Sequence, residues 1–130
     1  MSAAGPPFDY RSAFSRNLGW VTEAEQERLR HRRVAIAGLG GVGGVHLLAL
    51  TRLGIGKFHI ADHDRFELVN FNRQAGATVD TLGRPKVDVM ADMRAPRRRS
   101  RRPARQSRRA EPLPRSRAGT PRARCVRALA

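Results

Sequence analysis

The stretch Val34-Ala35-Ile36-Ala37-Gly38-Leu39-Gly40-Gly41-Val42-Gly43-Gly44 decides how this chain is read. Four apolar residues stop abruptly at a glycine, and five of the next seven positions, Gly38 to Gly44, are glycine. A short apolar run flanked by polar residues and glycine predicts a buried parallel strand. After the loop, Val45, Leu48, Ala49 and Leu53 recur at helical spacing, and Gly54 is placed to cap that helix. Lys57 to Ala61 predicts a second strand ending at Asp62. Strand, loop, helix and strand follow within one short segment, which is a βαβ unit.

The loop composition has a chemical reason. Phosphates need backbone N–H donors at close range, and side chains would block the approach. Gly38 suits the tight turn, Gly40 lets the backbone come near the phosphates, and Gly43 lets the helix pack closely. The helix N-terminus adds its dipole. Asp62 lies about 20 residues on, where a carboxylate can accept hydrogen bonds from a ribose. The loop by itself does not separate a dinucleotide from ATP.

Working outward, Thr22 and Glu25 form a capping box, so a helix should start there and run to about Arg30. Residues 1–14, with Gly5, Pro6 and Pro7, read as an irregular arm. Residues 63–82 read as loop with a helical turn near Phe66 to Phe71. Pro85 suits the first turn of a further helix with Val87, Met90 and Ala91 inside. His31, His46, His59 and His63 show no metal-ligand spacing.

The formal charge of +15 over 130 residues is uneven. Residues 93–130 hold 14 arginines, one acidic residue and no lysine. That segment cannot bury a core and reads as disordered. It is either a basic nucleic-acid tail or the product of a shifted reading frame. The second reading is favoured because the break falls inside an amphipathic helix. Apart from that tail, nucleic acid is not an expected partner. The single cysteine, Cys125, allows no internal disulfide and no Cys-rich zinc site. No apolar stretch is long enough to span a bilayer, so a cytoplasmic protein with no membrane partner is expected.

A second cluster narrows the function. Asp62-His63-Asp64 is followed by Asn70-Phe71-Asn72-Arg73-Gln74 and then by Gly83-Arg84-Pro85-Lys86. Hydride transfer has no general need for these groups, whereas the charge of a triphosphate must be met by fixed cations. With Phe14-Ser15-Arg16-Asn17 and the glycine loop, these motifs resemble the ThiF/MoeB family, bacterial relatives of ubiquitin-activating enzymes, over roughly Phe14 to Met93.

The resemblance implies a Rossmann-like α/β nucleotide-binding fold, about half complete. Residues 15–93 would be the ATP-binding domain and residues 94–130 the tail. It implies ATP-dependent adenylation of a carboxylate, commonly the C-terminus of a ubiquitin-like modifier or sulfur-carrier protein, with this chain expected to be a truncated fragment that is inactive alone. Gly41 would contact the nucleotide and Asp62 the ribose. Asn70, Arg73, Gln74 and Lys86 would line the phosphate path, with Asn72 and Asp64 beside it. Arg73 and Lys86 would stabilise charge on the α-phosphate, and Arg16 would enter the site of a partner subunit in a homodimer. Asp64 could instead cap the loop or orient Arg73. The family's magnesium aspartate falls beyond residue 93, where this chain has no aspartate, so no metal ligand is assigned. An NAD- or FAD-binding oxidoreductase is the alternative. A half-fold would leave one sheet face and a strand edge uncovered.

Overall fold

Arg33–Ala37 forms β1, Gly41–Leu53 forms α3 and Lys57–Asp62 forms β2, so the expected βαβ unit is present. The structure, a computed structural model, describes residues 7–94 and 122–127. β1 and β2 are parallel, with Val34 opposite Phe58 and Ile36 opposite Ile60. The other elements are α1 (Tyr10–Phe14), α2 (Glu23–His31), α4 (Lys86–Arg94) and β3 (Arg122–Arg127). The sheet order is β1-β2-β3.

One face of the sheet carries the core. Phe58 and Ile60 of β2 and Val126 of β3 meet Leu47 of α3 and Val87 and Met90 of α4. Removing this apolar surface from water is the main drive for the layer arrangement. The other face is open: Ala35, Ala37, His59 and Cys125 are exposed. β1 was expected to be fully buried, but it alternates between exposed and half-buried positions. Full burial of a parallel strand needs helices on both faces, and the described helices α3 and α4 share one face.

Helix α3 turns a different stripe inward than its spacing suggests. Gly44, Leu47 and Thr51 are buried and Leu48 is half-buried, while Val45, Ala49 and Leu53 are exposed. Gly44 sets that face, because a Cβ there would meet the Leu39 carbonyl oxygen at 3.3 Å and Met90 Cε at 3.4 Å. Thr51 tolerates burial because its hydroxyl donates to the Leu47 carbonyl at 2.7 Å. Gly54 ends the helix in the left-handed region at φ 102°, as expected. On α4, Val87, Met90 and Ala91 are buried as the pattern predicts, and Val89 joins them.

The N-terminal segment is more ordered than an irregular arm. The Asp9 carboxylate accepts the Ser12 N–H at 2.8 Å and starts α1. The helix buries Tyr10 and Phe14, with ring centroids 4.6 Å apart. The Tyr10 hydroxyl donates to the Gly54 carbonyl at 2.8 Å and accepts from Gln26 Nε2 at 2.9 Å. α1 is thereby tied to α2 and to the end of α3. The capping box at Thr22 is formed as predicted.

The tail also departs from expectation. Arg122–Arg127 was read as part of a disordered segment but forms β3, antiparallel to β2, with Phe58 opposite Val126 and Asp62 opposite Arg122. An open strand edge presents unpaired N–H and C=O groups that a further strand can satisfy. Val126 adds apolar burial. Asp88 of α4 lies 3.5 Å from Arg122 and 3.6 Å from Arg124. Residues 95–121 and 128–130, on which the rest of the tail reading falls, lie outside the described residues. Among the described residues no helix is long and apolar enough to cross a membrane.

Candidate functional site

The site starts at the β1–α3 turn. Gly38 has φ 90°, a backbone that side chains disfavour, and its N–H donates to Ala61 O of β2 at 2.8 Å. A Cβ on Gly43 would collide with the Gly38 carbonyl, so this glycine provides the close packing expected of it. Gly40 differs: a Cβ there would meet Gln74 Nε2 alone, at 3.7 Å. A methyl would therefore fit the protein while standing between the loop and the Gln74 amide. No side chain caps α3. The N–H groups of Gly41, Val42 and Gly43 lack intrahelical acceptors and carry the positive end of the helix dipole.

Asp62 at the end of β2 fixes this turn. Its Oδ2 accepts the Leu39 N–H at 2.6 Å, and its Oδ1 accepts the Asp64 N–H at 2.7 Å. Both oxygens keep lone pairs free for further donors. Asp64 does not orient Arg73. Its carboxylate lies 3.3 Å from Lys86 Nζ and 3.2 Å from His63 Nε2. Lys86 opens α4, and its side chain is 6% exposed. A cation this deeply placed needs a partner, and Asp64 supplies it.

These groups meet at a cavity of about 630 Å³ beside the glycine loop. Gly38, Gly40, Asp62 and Asp64 line it together with Asn70, Arg73, Gln74 and Lys86. His63, not expected there, also lines it. Asn70 is buried at the end of the Leu68–Asn70 turn, where its Oδ1 accepts the Glu67 N–H at 2.9 Å. Arg73 donates from Nη1 to the Val69 carbonyl and to Asn72 Oδ1, both at 3.0 Å. Asn72 thus steadies Arg73 and does not line the cavity. Gly41 lies beside Arg73, whose carbonyl oxygen would be 3.6 Å from a Cβ placed there. Arg16 is exposed on the Ser15–Asn17 turn and does not line the cavity.

Gln74 is 7% exposed, and its Oε1 has no hydrogen-bond partner among the described residues. A buried orphan polar atom costs about 1–3 kcal/mol, and as an acceptor this oxygen calls for a hydroxyl or amine donor rather than a phosphate oxygen. Open helix N–H groups, two cations, a braced carboxylate and an unfilled space above Gly40 fit a phosphorylated nucleotide. A divalent cation fits less well. The ligand atoms of Asp62, His63 and Asp64 lie within 4.8 Å of one another, but they are already engaged by backbone N–H groups, by Lys86 and by each other.

Sequence comparison decides the family. The model described as the ThiF family matches residues 14–96. The chain belongs to the ThiF family. Among similar members, the tRNA threonylcarbamoyladenosine dehydratase of Bacillus subtilis (strain 168) is 42% identical over 77 residues, 59% of this chain and 30% of that protein. The ubiquitin-like modifier-activating enzyme 5 of Aedes aegypti is 47% identical over 68 residues, 52% of this chain and 17% of that protein. The chain therefore spans less than a third of the length of these curated relatives. Among ThiF-like solved structures, E. coli tRNA N6-threonylcarbamoyladenosine dehydratase in complex with ATP superimposes with TM-score 0.62 at 32% identity, covering 64% of this chain and 34% of that one. The microcin C7 biosynthetic enzyme MccB in complex with N-formylated MccA gives TM-score 0.57 at 29% identity, covering 66% of this chain and 27% of that one.

Proposed function

We propose that this chain carries the ATP-binding part of a ThiF-type adenylating enzyme. The observation that carries the reading is the buried Lys86 ammonium at the wall of the glycine-loop cavity, with Arg73 also lining it. Fixed cations beside a helix N-terminus suit a chain of phosphates more than a nicotinamide ring. The family match and the ATP complex of a related dehydratase support ATP over the dinucleotide alternative.

In this reading ATP supplies an α-phosphate that a carboxylate oxygen attacks, releasing pyrophosphate and leaving an acyl-adenylate. The N–H groups of Gly41, Val42 and Gly43 bind phosphate oxygens, and Gly40 keeps the backbone within reach. Asp62 holds the loop and accepts from the ribose. Arg73 and Lys86 stabilise the charge that develops around the α-phosphate. Asn70 and Gln74 offer amides along the phosphate path. The carboxylate belongs to the C-terminus of a ubiquitin-like or sulfur-carrier protein. Arg16, exposed and outside its own cavity, enters the site of a second copy in a homodimer.

ATP–pyrophosphate exchange tests this directly. An intact-length relative is mixed with candidate carrier proteins, and labelled pyrophosphate is followed into ATP. Exchange that needs the carrier's C-terminal carboxylate and the counterparts of Arg73 and Lys86 is the expected result. ATP binding without exchange for any carboxylate would count against adenylation.

A further inference from the structure

The segment from Asp64 to Phe66 runs antiparallel to the segment from Gly83 to Lys86. Arg65 and Pro85 pair as an isolated bridge, Phe66 N–H donates to Arg84 O at 3.0 Å, and Gly83 N–H donates to Phe66 O at 2.8 Å. At the cavity end of this ladder Asp64 holds Lys86 twice. Its carbonyl oxygen accepts the Lys86 N–H at 3.0 Å, and its Oδ2 accepts from Lys86 Nζ at 3.3 Å. Asp64 is itself fixed, since its N–H donates to Asp62 Oδ1. A continuous set of bonds thus runs from the glycine loop through Asp62 and Asp64 to Lys86.

An ammonium has three N–H donors. Among the described residues Asp64 is the one acceptor for Lys86, so a single N–H is committed. The Phe66 ring is centred 6.0 Å from Nζ and accepts no conventional hydrogen bond. The remaining donors are left for the cavity that Lys86 lines. We propose that Asp64 is a positioning residue for the proposed reaction, holding the Lys86 ammonium aimed at the nucleotide phosphates while making no essential contact with the nucleotide itself. This inference rests on the ATP-binding reading above.

Without Asp64 the buried ammonium loses its one acceptor among the described residues, and with it a fixed direction toward the cavity. The full chain is compared with Asp64→Asn and Asp64→Glu. Calorimetric affinities for ATP and for adenosine are measured, with a thermal melt to check folding.

Asp64→Asn should lower the ATP-to-adenosine affinity ratio about tenfold. Adenosine binding should be unchanged. Asp64→Glu, which restores the charge, should recover the ratio even if Asp64→Asn folds poorly. An unchanged ratio in Asp64→Asn overturns this inference alone, and so does an equal loss for both ligands that Asp64→Glu does not repair. A parent chain that binds ATP no better than adenosine overturns the ATP reading, and this inference with it.

Discussion

Asp62 Oδ2 accepts the Leu39 backbone N–H at 2.6 Å, across 23 residues of chain. The carboxylate at the end of β2 therefore locks the conformation of the turn that follows β1. Asp62→Asn turns one oxygen acceptor into a donor facing a backbone N–H. It should cost about 2 kcal/mol of stability, the range for a hydrogen bond to a charged group. Urea unfolding of the variant checks this, and a midpoint equal to that of the parent would show that Asp62 does not brace the turn.

Gly40 and Gly43 should separate folding from binding. Gly43→Ala drives a methyl into the Gly38 carbonyl and should destabilise the chain by at least about 1–3 kcal/mol. At Gly40 the nearest group to a methyl is Gln74 Nε2, at ordinary contact distance. Gly40→Ala should melt within a few degrees of the parent and lose nucleotide affinity. Paired melts and ATP titrations give the comparison.

Tyr10 joins three elements through one hydroxyl. Tyr10→Phe removes the bond to the Gly54 carbonyl and the acceptor for Gln26 Nε2. Gln26 keeps its bond to Leu53 O at 3.0 Å, so the loss should be moderate, about 1–2 kcal/mol. Amide exchange should show the loss concentrated in α1 and at the C-terminal end of α3.

The α2 cap predicts an acid response. The Thr22 backbone N–H, and after it the Thr22 hydroxyl, hold the Glu25 carboxyl below its ordinary value. A depressed folded-state pKa contributes stability that is present above the unfolded pKa and lost as pH falls through the folded one. The melting-temperature gap between the parent and Glu25→Gln should therefore close as pH drops through the carboxylate range. A gap that stays constant in acid would contradict the cap.

The features legible in sequence were the local ones. The glycine loop, the Thr22 box and the Gly54 cap each depend on residues close in the chain, where backbone geometry dictates residue type. Long-range relationships were not legible. Nothing in the spacing of Asp64 and Lys86 announces their pair, because the 64–66 and 83–86 ladder creates it. Tyr10 looked like part of a loose arm until Gly54 and Gln26 were brought to it. The inward stripe of α3 was misread because Gly44, with no side chain to register as apolar, sets the contact face. Pairing of Arg122–Arg127 with β2 follows from an open edge, which composition does not reveal.

In the proposed function this cavity holds the phosphates of ATP, with Lys86 as its main cation. The most direct measurement is a calorimetric titration of the full chain with ATP and with NAD, repeated on Lys86→Met. ATP should bind at least about tenfold more tightly than NAD. Lys86→Met should lose roughly ten- to a hundredfold in ATP affinity, the equivalent of one charge-assisted hydrogen bond. NAD bound as tightly as ATP, with Lys86→Met indifferent to either, would contradict the account.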